Sequence, residues 1–386
     1  MATVDSYEVY QTIENISSKL KEEYESFTTL NVVVVGKTGV GKSTLINNVF
    51  SQKLAKTGYG EPVTQEITKI EKPGFPLVLY DTPGLELMGR HSTENLQNDL
   101  LELMQDGMKS GDANKAIHCI WYCISTTSSR IESAEVELLK QLHQKAKYCN
   151  VPIIVLLTKA ISLEKTAEMK RAVEAERLQN VEIISILAED FPIDEKTSVK
   201  AHGLDELAWM MNDLLPDKVK NTFASIQDVS VELKQERARA IVKATTTAAA
   251  VTGALPIPMP DAPILMAAQA GMIAKITAEF GLRLGKEDIL SMIVAFSGAG
   301  GATAIGKTVV SGVLKLIPGA GTVTGSAVSM VTAATLTAAL GETYIVILTK
   351  IAKGELDQAD LATKKGQSML KHELEKQLKK ARKALE

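Results

Sequence analysis

Residues 32–47, VVVVGKTGVGKSTLIN, constrain the fold of this chain more than any other segment. The four valines predict a buried strand, and the residues after the glycine-rich turn predict a helix. The turn fits the pattern G-x-x-x-x-G-K-[S/T], in which backbone N–H groups and a helix N-terminus surround phosphate oxygens. A chance glycine turn is the alternative, but it leaves the flanking strand and helix unexplained. The predicted phosphate-binding residues are Gly36, Lys37, Thr38, Gly39, Val40, Gly41, Lys42, Ser43 and Thr44.

The surrounding sequence alternates apolar runs with amphipathic stretches between residues 29 and 215. The later runs are PLVLYD, AIHCIWYCI, PIIVLLTK and VEIISIL. Near-continuous apolar strands separated by helices are typical of a doubly wound α/β domain with a mostly parallel sheet, whose ligands bind at the carboxyl ends of the strands. We therefore predict an α/β P-loop domain over residues 29–215.

The regions on either side of this domain have a helical pattern. Residues 1–28 carry apolar side chains at helical spacing and predict one N-terminal helix. After Pro216 the chain is first charged and then rich in Ala, Gly, Thr and Ser, which predicts an all-α helical domain over residues 216–386. This domain contains a Gly/Ala-rich hairpin and ends in a charged amphipathic helix over residues 366–386.

The amino-acid composition indicates which partners and which cellular compartment to expect. The net charge of −3 and the aromatic content of 4% count against a nucleic-acid-binding surface. The three cysteines have no paired spacing, and the first residues form neither a basic nor an apolar leader, so we expect a cytoplasmic protein. Cys119 and Cys123 fall in a predicted strand, where we interpret them as small buried side chains rather than metal ligands.

A second motif, Asp81-Thr82-Pro83-Gly84, follows the apolar run PLVLY and is therefore expected at the end of a strand. There Asp81 is placed to hold Mg²⁺ through water, and the N–H of Gly84 to contact the terminal phosphate. Thr64, in the loop between the two motifs, is the candidate to close over the same ion. The predicted metal ligands are thus Ser43, Thr64 and Asp81, and the predicted catalytic residues are Lys42, Thr64 and Gly84.

In this order, GKTGVGKS, a loop threonine and DTPG resemble the Era-like GTPases of the translation-factor-related class. The second half of the chain resembles a helical domain of uncharacterised function that often follows such G domains, and the overall plan is similar to that of immunity-related GTPases. The resemblance implies GTP or GDP and Mg²⁺ as ligands, and hydrolysis of GTP to GDP as the reaction of a nucleotide-dependent switch.

The guanine-binding pattern of this family, [N/T]-K-x-D, is incomplete in this chain. Thr158 and Lys159 match its first two positions, but Ile161 stands where a carboxylate accepts two hydrogen bonds from guanine. An isoleucine side chain cannot accept them, so selectivity for guanine is open and an ATPase remains an alternative. A further base contact, through the backbone, is assigned to Ser185 in a loop formed by residues 184–187.

Leu85 follows the second motif at the position where some GTPases carry a water-orienting glutamine. Leucine cannot orient water, so we expect slow hydrolysis unless self-association or an activating protein supplies the missing residue. Arg90, His91 and Arg130 are candidates to act across such a contact, although each fits a simple exposed basic residue equally well.

The helical domain leaves two functions open. Residues 289–306 and 316–341 contain no charged side chain, and the second run is long enough to span a bilayer. Its content of Ala, Gly, Thr and Ser fits a tightly packed soluble hairpin as well as one that touches a membrane. The leading hypothesis is a GTPase switch whose helical domain mediates assembly or membrane contact. The alternative is a membrane-associating or scaffold protein whose G domain binds nucleotide but hardly hydrolyses it.

Overall fold

The computed structural model describes residues 6–51, 54, 60–62, 67–82, 90–252, 262–289 and 330–383. The chain divides into two compact units. One consists of Phe27–Ser230 and is called the sheet unit below, and the other joins Met1–Ser26 to Val231–Glu386 and is called the helical unit. The first helix, α1 (Ser6–Glu25), lies where the sequence predicts an N-terminal helix and is part of the helical unit.

The sheet unit is built on seven strands. They are β1 (Leu30–Val35), β2 (Gly60–Pro62), β3 (Thr68–Lys72), β4 (Phe75–Asp81), β5 (Cys119–Ser125), β6 (Ile153–Thr158) and β7 (Val181–Ile186). Their order across the sheet is β2-β3-β4-β1-β5-β6-β7. The five strands from β4 to β7 in this order pair in parallel, whereas β2 and β3 pair in antiparallel fashion beyond β4. The prediction of a mostly parallel α/β sheet is confirmed.

Helices follow the strands of this sheet within the described residues. They are α2 (Lys42–Val49), α3 (Arg90–Ser110), α4 (Ser133–Cys149), α5 (Leu163–Glu174), α6 (Leu204–Leu214) and α7 (Asp217–Ile226). A short hairpin, β8 (Phe191–Pro192) and β9 (Ser198–Val199), lies between β7 and α6. Apolar side chains of α3 and α4, such as Leu100 and Leu139, form one buried cluster with Val33 and Tyr122 of the central strands. The strong apolar runs thus become strands because both faces of the sheet are covered.

The division between the units differs from the boundary predicted at residue 215, because α7 belongs to the sheet unit. Val219 and Phe223 of this helix are fully buried. The hydroxyl of Thr222 donates a hydrogen bond to the carbonyl of Thr28 at 2.7 Å, immediately before β1. The change in composition after Pro216 therefore does not mark the end of the sheet unit.

The edge strands β2 and β3 are the part of the sheet that the apolar runs do not predict. In β3 Ile70 is buried, whereas Thr68, Glu71 and Lys72 are exposed. A strand with one exposed face carries alternating rather than continuous apolar residues. In five residues this alternation is too short to be recognised against a loop.

The helical unit is all-α within the described residues, as predicted. Besides α1 it contains α8 (Val231–Thr252), α9 (Ala262–Phe280), α10 (Met330–Ala352), a 3-10 helix (Gln358–Ala362) and α11 (Lys364–Lys383). One buried cluster contains side chains from each of the five described α-helices of the unit, among them Ile16, Val242, Ile276, Tyr344 and Leu374. The α1 helix packs against α9, so the segment before the sheet unit and the segment after it share one core.

Two stretches of the helical unit bear on membrane contact, and the first overlaps only the end of the uncharged run 316–341 considered in the sequence. Within the described residues one helical stretch, Ala334–Ala352 of α10, is long and apolar enough to cross a membrane by length and composition. In the structure 61% of this stretch is buried inside the protein, and the core helix of a soluble protein has the same composition. Most of the Gly/Ala-rich hairpin, residues 290–329, lies outside the described residues.

A buried histidine links β1 to the segment that enters β5. The backbone N–H of Asn31 donates to Nδ1 of His118 at 3.0 Å, and the N–H of His118 donates to the carbonyl of Asn31 at 2.9 Å. The acceptor role of Nδ1 requires an imidazole that is not protonated there. Burial lowers the pKa of His118 from 6.5 to about 4.

This lowered pKa predicts a loss of stability in mild acid. Between pH 6.5 and about 4 the unfolded chain binds a proton at His118 and the folded chain does not. The free energy of unfolding should therefore have its full value above pH 6.5. It should fall by about 3 kcal/mol as the pH drops through this window. Urea unfolding at several pH values measures this. The variant His118→Asn keeps an acceptor near the Nδ1 position without titrating, so its pH dependence should be shallower, and equal slopes for both proteins would contradict the prediction.

Candidate nucleotide-binding site

The parallel strands bring the predicted motifs to one edge of the sheet. The glycine-rich loop follows β1, Asp81 ends β4, and Thr158 ends β6. Because these three strands run in the same direction, their carboxyl ends lie at the same edge. The hydroxyl of Thr158 lies 2.6 Å from the carbonyl oxygen of Val40, so the end of β6 contacts the loop directly. The structure thus assembles the first motif, Asp81 and the Thr158–Lys159 pair into one site.

Glycine is required at two positions of the loop. A Cβ atom at Gly36 would lie 2.6 Å from the carbonyl oxygen of Cys123 on β5, so a side chain there forces backbone apart. Gly41 has φ 105 and is the N-cap of α2, a backbone conformation that other residues adopt only with strain. Since glycine has no side chain to cap the first turn, the N–H groups that open α2 remain suited to an anionic ligand.

Lys42 lies across the loop that it terminates. Its Nζ donates to the carbonyl of Gly36 at 2.8 Å and to that of Lys37 at 3.4 Å, and the side chain is only 10% exposed. A lysine held in this way has its positive charge over the concave side of the loop. Phosphate oxygens are the ligand for which such a charge and a helix N-terminus are jointly suited.

Asp81 provides an acidic group beside this lysine. Its Oδ1 atom lies 3.8 Å from Nζ of Lys42, too far for a hydrogen bond, and this buried oxygen has no hydrogen-bond partner among the described residues. Burial raises the pKa of the Asp81 carboxyl, and the charge of Lys42 opposes that shift only in part. A buried carboxylate oxygen without a partner fits the outer ligand sphere of a hydrated cation. The residues present therefore fit Mg²⁺, with Ser43 at the start of α2 as the hydroxyl ligand.

The base side of the site is defined by the residues after β6. Lys159 has φ 54, an unusual value for a residue other than glycine, and its carbonyl accepts a hydrogen bond from the hydroxyl of Thr126 at 2.6 Å. Its Cε atom lies 4.0 Å from the position that a Cβ of Gly41 would occupy, so the lysine stem runs beside the phosphate loop. Ile161 follows, half-buried, and brings no acceptor to this region.

The structure corrects the placement of Ser185. Residues 184–187 are predicted to form a loop, but Ser185 lies inside β7 and pairs with Leu157 of β6. The chain leaves the strand at Leu187, whose backbone exchanges two hydrogen bonds with His202 at 3.1 and 2.9 Å. The alternation of apolar residues in VEIISIL continues through Ser185, so the period of the strand itself places this serine within it.

Other predicted residues lie outside the assembled site or outside the described residues. Thr64, Gly84 and Leu85 are not among the described residues, and the side chains of Arg90 and His91 are likewise not described. Arg130 is exposed. Cys119 and Cys123 are fully buried in β5, as predicted, and burial raises the pKa of the Cys123 thiol to about 12.

Two contacts of the site are not indicated by the motifs. His202 lies beside the base motif, with Nε2 at 3.0 Å from the carbonyl oxygen of Ala160. Lys37 reaches away from the loop to the start of α4, where it meets Glu132 and Glu135. Glutamates spaced E-x-x-E before an amphipathic helix indicate where the helix begins. This pattern does not indicate that the two acids bind a lysine on a distant loop.

Comparison with known families identifies both parts of the chain. Residues 31–159 match the family model described as "50S ribosome-binding GTPase". Residues 220–383 match the model described as "Domain of unknown function (DUF697)". The chain therefore joins a P-loop GTPase G domain to a C-terminal DUF697 helical region. Members of the G-domain family are typically GTPases.

Among known proteins the chain is similar to septins. Septin-9 of Homo sapiens is 26% identical over 175 residues, which cover 39% of this chain and 29% of the septin. Neuronal-specific septin-3 of Danio rerio is 27% identical over 168 residues, covering 38% of this chain and 46% of the septin. Cell division control protein 10 of Candida albicans is 26% identical over 190 residues, covering 43% and 52%. The chain thus spans about a third to a half of the length of these relatives.

Solved structures show weaker likenesses. A probable GTP-binding protein engB matches at a TM-score of 0.30 and 19% identity, over 41% of this chain and 89% of that one. Toc33 from Arabidopsis thaliana, solved in complex with GDP and Mg²⁺, matches at 0.32 and 17%, over 56% and 91%. Likenesses this low support no statement about function.

Proposed function

We propose that this protein is a GTP-binding switch that hydrolyses GTP to GDP with Mg²⁺, and that its helical unit conveys the nucleotide state to a partner or a membrane. The observation that carries the proposal is the meeting of Lys42 and Asp81 beside the glycine-rich loop, 3.8 Å apart and both mostly buried. A phosphate-binding cation and an acidic group next to a helix N-terminus suit a nucleoside triphosphate and its metal ion. The match of residues 31–159 to a GTPase family supports the same proposal.

Each residue of the site has a role that follows from its position. Lys42 binds phosphate oxygens, and Ser43 and Asp81 hold the metal ion, Asp81 through water. When bound, Mg²⁺ neutralises charge on the β- and γ-phosphates. Thr64 and Gly84 complete the proposal as the loop residues that sense the γ-phosphate and are released after hydrolysis.

Turnover is proposed to need help from outside the site. Leu85 stands where a water-orienting glutamine would act, and its side chain carries no hydrogen-bonding group. Self-association or an activating protein would supply the missing residue, with exposed Arg130 as one candidate.

The first prediction concerns phosphate binding by Lys42. Lys42→Ala should weaken the binding of GTP with Mg²⁺ by about 100-fold or more, because it removes a mostly buried charge-assisted contact. Titration with a fluorescent GTP analogue measures the dissociation constant. Lys170→Ala, at an exposed position of α5, is the matched control and should bind as the unaltered protein does. Tight binding by Lys42→Ala would contradict the assignment of the site.

A second prediction concerns the nucleotide base. Because Ile161 brings no carboxylate, the unaltered protein should prefer GTP over ATP only weakly, and Ile161→Asp should increase the ratio of the two affinities at least about tenfold. Competition of GTP and ATP against the same fluorescent analogue measures the ratio. Ile161→Leu, which changes shape without adding an acceptor, is the control. Strong selection of GTP by the unaltered protein would show that another group recognises guanine.

The exposed face of α11 favours a membrane as target of the helical unit. Leu370, Leu374 and Leu378 of this helix are buried in the core of the unit. The exposed positions of this helix include one glutamate, Glu375, and seven lysines, at positions 364, 365, 371, 376, 379, 380 and 383. A helix whose apolar face is already packed and whose outer face is basic suits an anionic surface, to which each lysine contributes about 1 kcal/mol.

Co-sedimentation with vesicles of phosphatidylserine and phosphatidylcholine tests this role. The triple reversal K379E/K380E/K383E should reduce vesicle affinity at least about 100-fold. K147E/K170E/K196E, which makes the same change of net charge at exposed positions of the sheet unit, should not. Binding that differs between GTP and GDP supports the switch, equal binding supports the alternative of a membrane scaffold with a nearly inactive G domain, and no binding by the unaltered protein contradicts the membrane role.

A further inference from the structure

We propose that Lys37 is a positioning residue of the glycine-rich loop, and that its ion pair with Glu135 holds this loop in the shape that binds phosphate. The inference rests on the proposed function, because it concerns the same nucleotide site. It assigns to Lys37 an action through the backbone of the loop rather than a contact with the ligand. It also makes the start of α4 part of the binding site, although no residue of α4 needs to touch the nucleotide.

The side chain of Lys37 ends between two carboxylates at the start of α4. Its Nζ lies 2.6 Å from Oε1 of Glu132 and 3.1 Å from Oε2 of Glu135. Burial alone would lower the pKa of Lys37, but its hydrogen bonds and charge interactions with the two acids outweigh burial and raise it. The ammonium is therefore firmly charged and is already engaged by two acids within the protein.

The two acids differ in burial, which decides which of them matters. The side chain of Glu135 is 5% exposed, whereas that of Glu132 is 61% exposed. Glu135 also accepts a hydrogen bond from the backbone N–H of Glu132 at 3.0 Å, which completes the first turn of α4. A buried carboxylate that loses its cationic partner is strongly unfavourable, whereas an exposed one is hydrated at little cost.

Glu135 is itself fixed to the sheet. The hydroxyl of Tyr122, a fully buried residue of β5, donates to the carbonyl of Glu135 at 2.7 Å. Glu135, the buried acceptor of the Lys37 ammonium, is therefore anchored to a central strand through its backbone. An ion pair with such a group can define the position of the loop residue that reaches it.

The backbone of Lys37 transmits this position to the phosphate-binding groups. Its carbonyl accepts from the N–H of Val40 at 3.4 Å and from Nζ of Lys42 at 3.4 Å. Val40 is held from the other side by the hydroxyl of Thr158 at 2.6 Å. The loop is thus tied to α4 through Lys37 and to β6 through Val40, and displacement of Lys37 would move an acceptor that orients Lys42.

Two charge-deleting substitutions separate this role from direct binding of phosphate. Lys37→Met keeps the aliphatic stem, and Glu135→Gln keeps an oxygen for the N–H of Glu132. A positioning role predicts that each weakens binding of a fluorescent GDP analogue about tenfold, and that the double variant K37M/E135Q is no weaker than either single variant. A direct contact of Lys37 with phosphate predicts instead that Glu135→Gln, which frees the lysine, binds as well as or better than the unaltered protein.

Controls distinguish positioning from a loss of fold. Glu132→Gln alters the exposed partner and should change the affinity by less than about twofold. All dissociation constants are measured well below the thermal unfolding midpoint of each variant, so that only folded protein is compared. Lower midpoints with unchanged affinities would mean a purely structural pair and would overturn the inference. If the unaltered protein binds no nucleotide, the proposed function fails and the inference with it; if it binds and the variants bind equally well, only the inference fails.

Discussion

The complete burial of β1 is the constraint on which the rest of the sheet unit depends. All six side chains of Leu30–Val35 are buried, and the strand pairs in parallel on both sides, with β4 and with β5. A strand in this position cannot shift its register without exposing valines or breaking two ladders of hydrogen bonds. The residue after the strand, Gly36, is therefore held at a fixed point, where a Cβ atom would lie only 2.6 Å from the carbonyl oxygen of Cys123. The burial of β1 therefore fixes where the glycine-rich loop begins.

Around that fixed point, short polar contacts join elements that are far apart in sequence. Thr158 connects the end of β6 to the loop, Thr126 connects the end of β5 to Lys159, and Lys37 connects the loop to α4. Hydrogen bonds thus join the glycine-rich loop to the end of β6, and the residue after β6 to the segment after β5.

The sequence predicts the elements that are determined by residues close together in the chain. Burial on two faces requires continuous apolar runs, so the five parallel strands are recognisable, and the glycine pattern that follows β1 predicts a phosphate-binding loop. Polar contacts between residues far apart in sequence have no such signature, because the sequence does not show which of many polar groups a given lysine or threonine will meet in the folded chain. For this reason the bond from Lys37 to Glu135 and the role of the Thr158 hydroxyl could not be predicted. Ser185 was misplaced because a polar residue inside a strand resembles the start of a loop, and α7 was misplaced because its surface is charged while its inner face packs in the sheet unit.

The helical unit is formed from both ends of the chain, since α1 shares a core with α8 to α11. The G domain is therefore an insertion between the first and second helices of another folded unit. No single cut in the chain separates the two units intact. During synthesis α1 emerges before the sheet unit and lacks its partners until more than two hundred later residues have been made. The G domain can fold during that interval, whereas the core of the helical unit can be completed only after the segment from Val231 onward has been made.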